Sequence, residues 1–327
     1  MSRWRVLLTD SPWPSHELEQ GILAEVDAAL YLVPSGQPAA AHEETARADA
    51  LLTCWAPVTD ELIAAAPRLR IIARLGIGLD NIDLAAATAR DIVVTNVPDY
   101  CHDEVAEHAL ALLLALARKV AHYHHDSKSG RYDRAAAGSI DRIAGRRLGI
   151  VGLGSTGRAL AWRAAGIGLR VVAATWRAIE PPPGVELVGL DELWATSDFV
   201  SLHVPLTPET RHIIDERALA RMRPGAYLIN TARGGLIDHA ALARALAEGH
   251  LAGAALDVQD PEPPDLSLPP YNDPRVIVTP HAAFLSERAV SELRTRAARQ
   301  VVDWLAGRVP PDVVNPQALG GAGRGER

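Results

Sequence analysis

The chain has 327 residues, of which 48% are hydrophobic and 22% charged, and its formal net charge is −7. This composition is typical of a globular protein with room for two hydrophobic cores, and it excludes a disordered chain. No basic tract accompanies the negative charge, so we expect no nucleic-acid partner.

The two cysteines, Cys54 and Cys101, do not make a disulfide framework and favour a reducing, cytoplasmic setting. The apolar run near the N-terminus is too short for a signal peptide, and the longest apolar helix candidate, 109–117, is too short to cross a bilayer. We therefore expect no membrane partner. His122, His124 and His125 lack a fourth ligand at useful spacing, so we also expect no metal site.

The first third of the chain alternates between strand-like apolar runs and helical patterns. Helices are predicted at 15–26 and 59–65. Strands are predicted at 5–8, 29–33, 50–55, 70–73 and 92–95. Such alternation predicts βαβ units around a parallel sheet, and continuous apolar runs suit strands that are buried on both faces.

One long helix, predicted over 103–120, separates this series from a second one. Helices of the second series are predicted at 155–165, 239–248 and 286–306. Its strands are predicted at 147–151, 170–174, 198–203, 226–230, 252–258 and 276–278. Two α/β series predict two domains, and the last helix is long enough to return to the first.

A glycine-rich turn follows the strand at 147–151 and opens the helix at 155–165. It reads Gly152-Leu153-Gly154-Ser155-Thr156-Gly157. In this context Gly152 permits a tight turn, Gly154 lets the backbone approach a pyrophosphate, and Gly157 lets the helix pack on the strand. The helix N-terminus then faces the anion, which predicts a dinucleotide site.

The end of the next strand lacks the acidic residue that usually binds the ribose 2′-hydroxyl of NAD. Thr175 stands at that position, and Arg177 follows two residues later. Without a carboxylate there is no repulsion of a 2′-phosphate, and Arg177 could pair with it. We therefore expect NAD(P) as the cofactor, with NADP favoured over NAD; the alternative is that Arg177 is only a solvated loop residue.

Three successive strands of the second series are followed by polar residues with complementary chemistry. Arg233 follows the strand at 226–230, Asp257 and Glu262 follow the next, and His281 follows the third. Because ligands bind outside the carboxyl ends of parallel strands, these residues are expected to meet in one crevice. Arg can clamp a carboxylate, His can transfer a proton, and a Glu beside it favours the charged imidazolium.

With these residues the chain resembles the D-isomer-specific 2-hydroxyacid dehydrogenase family over nearly its whole length. The segment 96–101 is similar to the branch that includes the C-terminal-binding-protein corepressors and their bacterial relatives. The motifs that carry the resemblance are 73–83, 96–98, 104–108, 152–157, 203–207 and the three segments that contain Arg233, Glu262 and His281.

The resemblance implies two doubly wound parallel-sheet domains with a cleft between them. The substrate domain would be flavodoxin-like and discontinuous, comprising 1–98 and 286–327. The Rossmann domain for NAD(P) would comprise 99–285. A homodimer would form through the helix from Asp103.

The resemblance also implies residue roles. Arg233, Glu262 and His281 match the catalytic residues, and Asp257 matches the residue near the nicotinamide carboxamide. The substrate carboxylate would be held by the loop of Leu75, Gly76, Ile77 and Gly78. Beyond the glycine turn, Thr175 and Arg177, cofactor contacts are expected at His203, Pro205, Thr210, Thr231 and Ala232.

The implied reaction is hydride transfer between a nicotinamide and a 2-oxo or D-2-hydroxy acid. One alternative is a cofactor-sensing, corepressor-like binding protein, because such proteins can keep these residues. Another is a dehydrogenase of formate or phosphite. Formate dehydrogenases have Gln where Glu262 stands, and formate needs no proton transfer, so the acid–base pair disfavours formate and leaves a phosphite-type enzyme as the lesser option.

Overall fold

The computed structural model describes residues 2–33 and 43–320. The chain divides into two compact units: unit 1 contains Met1–Tyr100 and Ser286–Arg327, and unit 2 contains Cys101–Leu285. Unit 1 is therefore discontinuous in sequence. Asp99 and Tyr100 group with unit 1, whereas the sequence places the boundary at 98/99. The parts of the expected domains at residues 34–42 and 321–327 lie outside the described residues.

Regular elements alternate along the chain, as expected. The strands are β1 (Trp4–Leu8), β2 (Ala28–Leu32), β3 (Ala50–Thr53), β4 (Ile71–Arg74), β5 (Val93–Thr95), β6 (Arg147–Val151), β7 (Arg170–Ala174), β8 (Val185–Leu187), β9 (Phe199–Leu202), β10 (Ala226–Asn230), β11 (Leu251–Leu256) and β12 (Val276–Val278). The helices are α1 (Glu17–Leu23), α2 (Asp60–Ala64), α3 (Leu84–Ala89), α4 (His102–Ala117), α5 (Val120–Lys128), α6 (Ser155–Gly166), α7 (Leu190–Thr196), α8 (Glu216–Arg221), α9 (His239–Ala247) and α10 (Glu287–Leu305).

Unit 1 is built on a five-stranded parallel sheet with the order β2-β1-β3-β4-β5. This is the flavodoxin-like order. Helix α10 returns to this sheet and packs against β3, β4 and α1. Its Arg294 binds the buried Glu19 of α1 with an Nε–Oε1 distance of 2.6 Å. The C-terminal helix therefore completes the core that the first hundred residues begin.

Unit 2 is built on a seven-stranded parallel sheet with the order β12-β11-β10-β9-β6-β7-β8. Counted from β6, the order is 7-6-5-4-1-2-3, which contains the Rossmann arrangement. Both sheets of the expected α/β fold are thus present. Strand β8 is not among the predicted strands; it is a short edge strand with only one half-buried residue, so it lacks an apolar pattern.

The long helix predicted at 103–120 is interrupted. Helix α4 ends at Ala117, and Lys119 adopts a left-handed conformation with φ 56° before α5 begins at Val120. A glycine usually occupies such a position. Here the Lys119 ammonium lies 5.0 Å from the centroid of the Tyr227 ring, a favourable cation–π distance that sequence periodicity cannot reveal. In the part of the chain that the structure describes, no helix is long and apolar enough to span a membrane.

Candidate active site

The turn after β6 requires glycine at the first and third of its three glycine positions. Gly152 has φ 96°, and a Cβ there would lie 2.6 Å from the carbonyl oxygen of His203. A Cβ at Gly157 would overlap the carbonyl oxygen of Gly152. Both residues therefore allow α6 to begin directly above the end of β6.

Gly154 faces open space. A Cβ built there would meet no atom within 4 Å, and Gly154 is the N-cap of α6 without a side-chain hydrogen bond to the helix. The amides at Ser155 and Thr156 therefore open the helix without a side-chain acceptor. An uncapped helix N-terminus behind a bare backbone suits an anionic pyrophosphate, so these residues fit a dinucleotide.

The end of β7 is followed by one cation, Arg177, and no acid up to Ile179, as the sequence indicates. The Arg177 amide donates to Thr175 Oγ1 at 3.3 Å, and the Arg177 side chain is exposed. Sequence reasoning missed Arg158, which directly follows the last glycine of the turn. Its Nη2 donates to the carbonyl oxygen of Glu180 at 2.8 Å, so it braces the segment that contains Arg177.

The segment after β9 is a compact turn. Thr210 Oγ1 donates to the Pro205 carbonyl at 2.7 Å and accepts from the Thr207 amide at 2.8 Å, so its hydroxyl maintains the turn. His203 Nε2 lies 2.8 Å from Ser201 Oγ. Burial lowers the pKa of His203 to about 4, so this imidazole is neutral near pH 7.

The loop after β10 is shaped by Asn230. Its Oδ1 accepts from the Ala232 amide at 3.0 Å, and its Nδ2 donates to the Arg233 carbonyl at 2.8 Å. The guanidinium of Arg233 donates to the Ala232 carbonyl at 2.7 Å. Thr231 is buried, and within the described residues its Oγ1 has no hydrogen-bond partner. A buried hydroxyl of this kind fits a loop that binds a ligand.

Gly234 lets the Arg233 loop touch the loop after β11. A Cβ at Gly234 would overlap the carbonyl group of Gln259. The Gln259 amide in turn donates to Glu262 Oε1 at 2.9 Å. Arg233 and Glu262 are thus held by two loops in direct backbone contact. Gly234 and Gln259 belong to the segments that the sequence points to, but the contact between them is not among the roles predicted there.

Glu262 and His281 form the expected pair. Glu262 Oε2 lies 2.9 Å from His281 Nδ1. Burial pushes the pKa of Glu262 upward, but the bonds from His281 and the Gln259 amide, together with the charge of Arg233, outweigh it and lower the pKa. A carboxylate held ionised at this place can orient the imidazole and stabilise its charged form.

His281 adopts a left-handed backbone conformation, with φ 52°. Its amide donates to the Asp257 carbonyl at 2.7 Å and to the Thr279 carbonyl at 3.1 Å. Such a conformation is uncommon outside glycine and must be stabilised by its surroundings. The Phe284 ring is nearly perpendicular to the imidazole, at 82°, with the ring centroids 6.3 Å apart.

Asp257 anchors this turn from within the protein. The side chain is fully buried; Oδ1 accepts from the Thr279 hydroxyl at 2.6 Å and the Ala282 amide at 2.9 Å, and Oδ2 accepts from the Ala283 amide at 2.9 Å. Burial raises its pKa, but these donors and His108 together lower it to about 2. The carboxylate expected beside the nicotinamide is thus already occupied by donors from the chain.

The loop Leu75–Gly78 lies in unit 1, after β4. Leu75 is buried, and the Gly76 amide donates to the Arg74 carbonyl at 3.0 Å. The Ile77 carbonyl accepts from Asn96 Nδ2 at 2.7 Å. Within residues 2–33 and 43–320, the amides of Ile77 and Gly78 make no hydrogen bond, so they are the two groups of this loop that can still bind a carboxylate.

No metal site is evident in the described part of the chain, where no group of three or more His, Cys, Asp or Glu side chains could hold an ion. His122 lies instead beside Asp126, with its Nε2 3.6 Å from Oδ2 of that residue.

The sheet order and the glycine turn define a Rossmann-type dinucleotide-binding protein that carries an acid–base pair. The family model "D-isomer specific 2-hydroxyacid dehydrogenase, NAD binding domain" matches residues 110–283. The chain belongs to the D-isomer-specific 2-hydroxyacid dehydrogenase family.

Two curated relatives illustrate the similarity. Glyoxylate reductase of Korarchaeum cryptofilum is 42% identical over 271 residues, which are 80% of this chain and 81% of that protein. D-3-phosphoglycerate dehydrogenase of Mycobacterium leprae is 43% identical over 274 residues, or 82% of this chain. The match spans only 51% of the mycobacterial protein, so the chain corresponds to about half of it.

A solved structure with bound ligands is also similar. D-lactate dehydrogenase from Aquifex aeolicus, in complex with NAD and lactic acid, superposes with a TM-score of 0.86 at 28% identity. The match covers 95% of this chain and 99% of that one.

Proposed function

We propose that the protein is an NAD(P)-dependent oxidoreductase that interconverts a 2-oxo acid and a D-2-hydroxy acid. The observation that carries this proposal is the 2.9 Å contact between His281 Nδ1 and Glu262 Oε2. The charge of Arg233 is one of the causes that lower the pKa of Glu262. This contact places a proton donor next to a carboxylate and close to a carboxylate-binding cation.

Each of these side chains has a defined task in carbonyl reduction. Arg233 binds the substrate carboxylate with its planar guanidinium. In unit 1, the amides of Ile77 and Gly78 are proposed by themselves as donors to a carboxylate. His281 donates a proton to the oxygen on C2, and Glu262 stabilises the imidazolium before transfer. The nicotinamide, when bound, supplies or accepts the hydride.

The glycine turn and Thr231 are proposed to hold this cofactor, together with Ala232, His203, Pro205 and Thr210. Asp257 is proposed to act indirectly, because its carboxylate accepts hydrogen bonds from the segment Thr279–Ala283 and so fixes the position of His281. We further propose that NADPH is preferred to NADH. Thr175 brings no carboxylate to repel a 2′-phosphate, and the exposed Arg177 can pair with it.

The substrate is proposed to be a small 2-oxo acid. Relatives named glyoxylate reductase and D-lactate dehydrogenase support this size class. The protein is also proposed to form a homodimer through α4 and its continuation. Val120 at the start of α5 and Trp162 on α6, which packs against α4, expose 55% and 75% of their surfaces, and an interface would cover such apolar groups.

The direct test is NADH and NADPH oxidation against glyoxylate, pyruvate, hydroxypyruvate and 3-phosphohydroxypyruvate, with light scattering to measure the oligomeric state. Turnover with at least one 2-oxo acid is expected, together with loss of turnover in His281→Ala while the cofactor still binds. Cofactor binding without turnover of any acid in the wild type would favour a cofactor-sensing protein instead.

A further inference from the structure

His108 connects α4 to the turn that carries His281. It lies in the first half of α4, which packs against β10 and β11. Its Nε2 is 3.0 Å from Thr279 Oγ1 and 3.4 Å from Asp257 Oδ1. Asp257 directly follows β11 and Thr279 directly follows β12. One imidazole thus joins a helix to two strand ends.

The direction of the hydrogen bonds follows from the number of protons available. The Thr279 hydroxyl has one hydrogen and donates it to Asp257 at 2.6 Å. Thr279 Oγ1 can then only accept from His108, so Nε2 of His108 must carry a proton. The resulting chain runs from His108 through Thr279 to the Asp257 carboxylate.

Asp257 passes this restraint on to His281. Its side chain accepts from the amides of Ala282 and Ala283, and its carbonyl accepts from the His281 amide at 2.7 Å. The left-handed conformation of His281 is therefore enclosed on both sides by bonds to Asp257. Weakening the carboxylate's hold would release the turn and with it the alignment between His281 and Glu262.

We propose that His108 is a positioning residue for His281, acting through Thr279 and Asp257. This inference rests on the proposed function for its kinetic consequence but not for its structural one. His108 lies seven positions after Cys101 begins unit 2, and Thr279 lies six positions before Leu285 ends it. The bond between them therefore also holds together the first and last segments of unit 2.

The kinetic test compares His108→Leu, which removes the donor, with His108→Gln, whose amide can still donate. We expect Leu to lower kcat by about 10- to 100-fold through misalignment, with KM changed by less than about 3-fold, and Gln to retain most of kcat. His250→Leu is the matched control: it removes a 2.9 Å hydrogen bond from Nε2 to the Met222 carbonyl at the other end of β11 and should leave kcat unchanged. Equal losses in the Leu and Gln variants, or an unchanged kcat in Leu, would overturn the proposal.

A second measurement needs no turnover. In the ¹⁵N spectrum of the imidazoles at pH 7, we expect His108 to be protonated at Nε2, and the His281 resonances to move in His108→Leu but not in His108→Gln. An unprotonated Nε2 of His108 would refute the positioning role, as would His281 resonances that are unchanged in both variants. If the wild type reduces no 2-oxo acid, the proposed function fails and this spectrum still decides the role of His108.

Discussion

Both carboxylate oxygens of Glu262 are bound within the protein, one to His281 and the other to the Gln259 amide. Its Oε2 lies 2.9 Å from His281 Nδ1, while Oε1 accepts the Gln259 amide at the same distance. The carboxylate therefore cannot turn away from the imidazole without losing a backbone hydrogen bond. The Glu262 side chain therefore both orients the imidazole of His281 and stabilises its charged form.

Glu262→Gln should slow carbonyl reduction. The pKa of Glu262 is lowered in the protein, so the wild type presents a carboxylate to His281. The amide keeps the size of the side chain but removes the charge, so the proton that His281 donates is no longer stabilised, and we expect kcat to fall by about 10-fold or more. Steady-state kinetics of wild type and variant measure the loss. Equal kcat in the two proteins would show that the two residues are not coupled.

Arg233→Lys should lower kcat/KM by at least about 100-fold without unfolding the protein, because an ammonium cannot reproduce the planar two-point clamp on a carboxylate. Steady-state kinetics and the melting temperature provide the test. Arg244→Lys, on α9 and paired with Glu216, is the control and should leave both unchanged. Near-wild-type kinetics in Arg233→Lys would remove Arg233 from the substrate site.

Gly234→Ala should impair activity through the backbone. The added methyl group would overlap Gln259, so the Arg233 and Glu262 loops must separate. We expect a loss in kcat of about 10-fold or more, since small displacements of catalytic groups have large effects. Gly166→Ala, at the end of α6 with no neighbour within 4 Å, is the matched control. Comparable activity in the two variants would mean that the loops tolerate the methyl group.

Asp257 should contribute to stability at neutral pH and lose that contribution in acid. Its pKa is about 2 in the folded protein, against an ordinary value of 3.8 for an aspartate. A depressed carboxylate stabilises the fold above its unfolded pKa, so about 2 kcal/mol should disappear as pH falls from about 4 to 2. Urea unfolding of wild type and Asp257→Asn at several pH values gives the free energy of unfolding as a function of pH, and its slope should be steeper in the wild type. Thr279→Val, which removes one donor, should give an intermediate slope; parallel curves for all three proteins would exclude the effect.

Thr175→Asp should convert a preference for NADPH into one for NADH. A carboxylate there can accept from the ribose 2′-hydroxyl and repels a 2′-phosphate. The ratio of kcat/KM for the two cofactors is the measurement, and the ranking of 2-oxo acids should stay the same. A wild-type preference for NADH would show that Arg177 does not serve the phosphate.

The part of the site that sequence could predict is the part that follows local rules. The glycine turn is readable because its residues are adjacent, and Arg233, Glu262 and His281 are readable because each follows a parallel strand. Strand ends in one sheet share an edge, so their meeting needs no knowledge of side-chain packing.

The roles that sequence reasoning did not assign depend on contacts between distant positions. Gly234 is required by Gln259, which lies 25 positions later, and His108 meets Thr279 across 171 positions. At the break between α4 and α5, Lys119 lies against the ring of Tyr227, which belongs to β10. No local pattern encodes such pairs, although an Arg-Gly-Gly sequence at a strand end could have suggested a close backbone approach.

Because α10 belongs to unit 1, the two units can complete their folding only in a fixed order during synthesis on the ribosome. All of unit 2 is contiguous and can fold as soon as residue 285 has emerged, but the sheet of unit 1 still lacks the helix that covers β3 and β4. Glu19 is synthesised early, but its ion-pair partner Arg294 is synthesised 275 residues later. The N-terminal hundred residues are thus the segment that most needs protection from aggregation during translation, because their exposed apolar strands have no complete core until the last helix arrives.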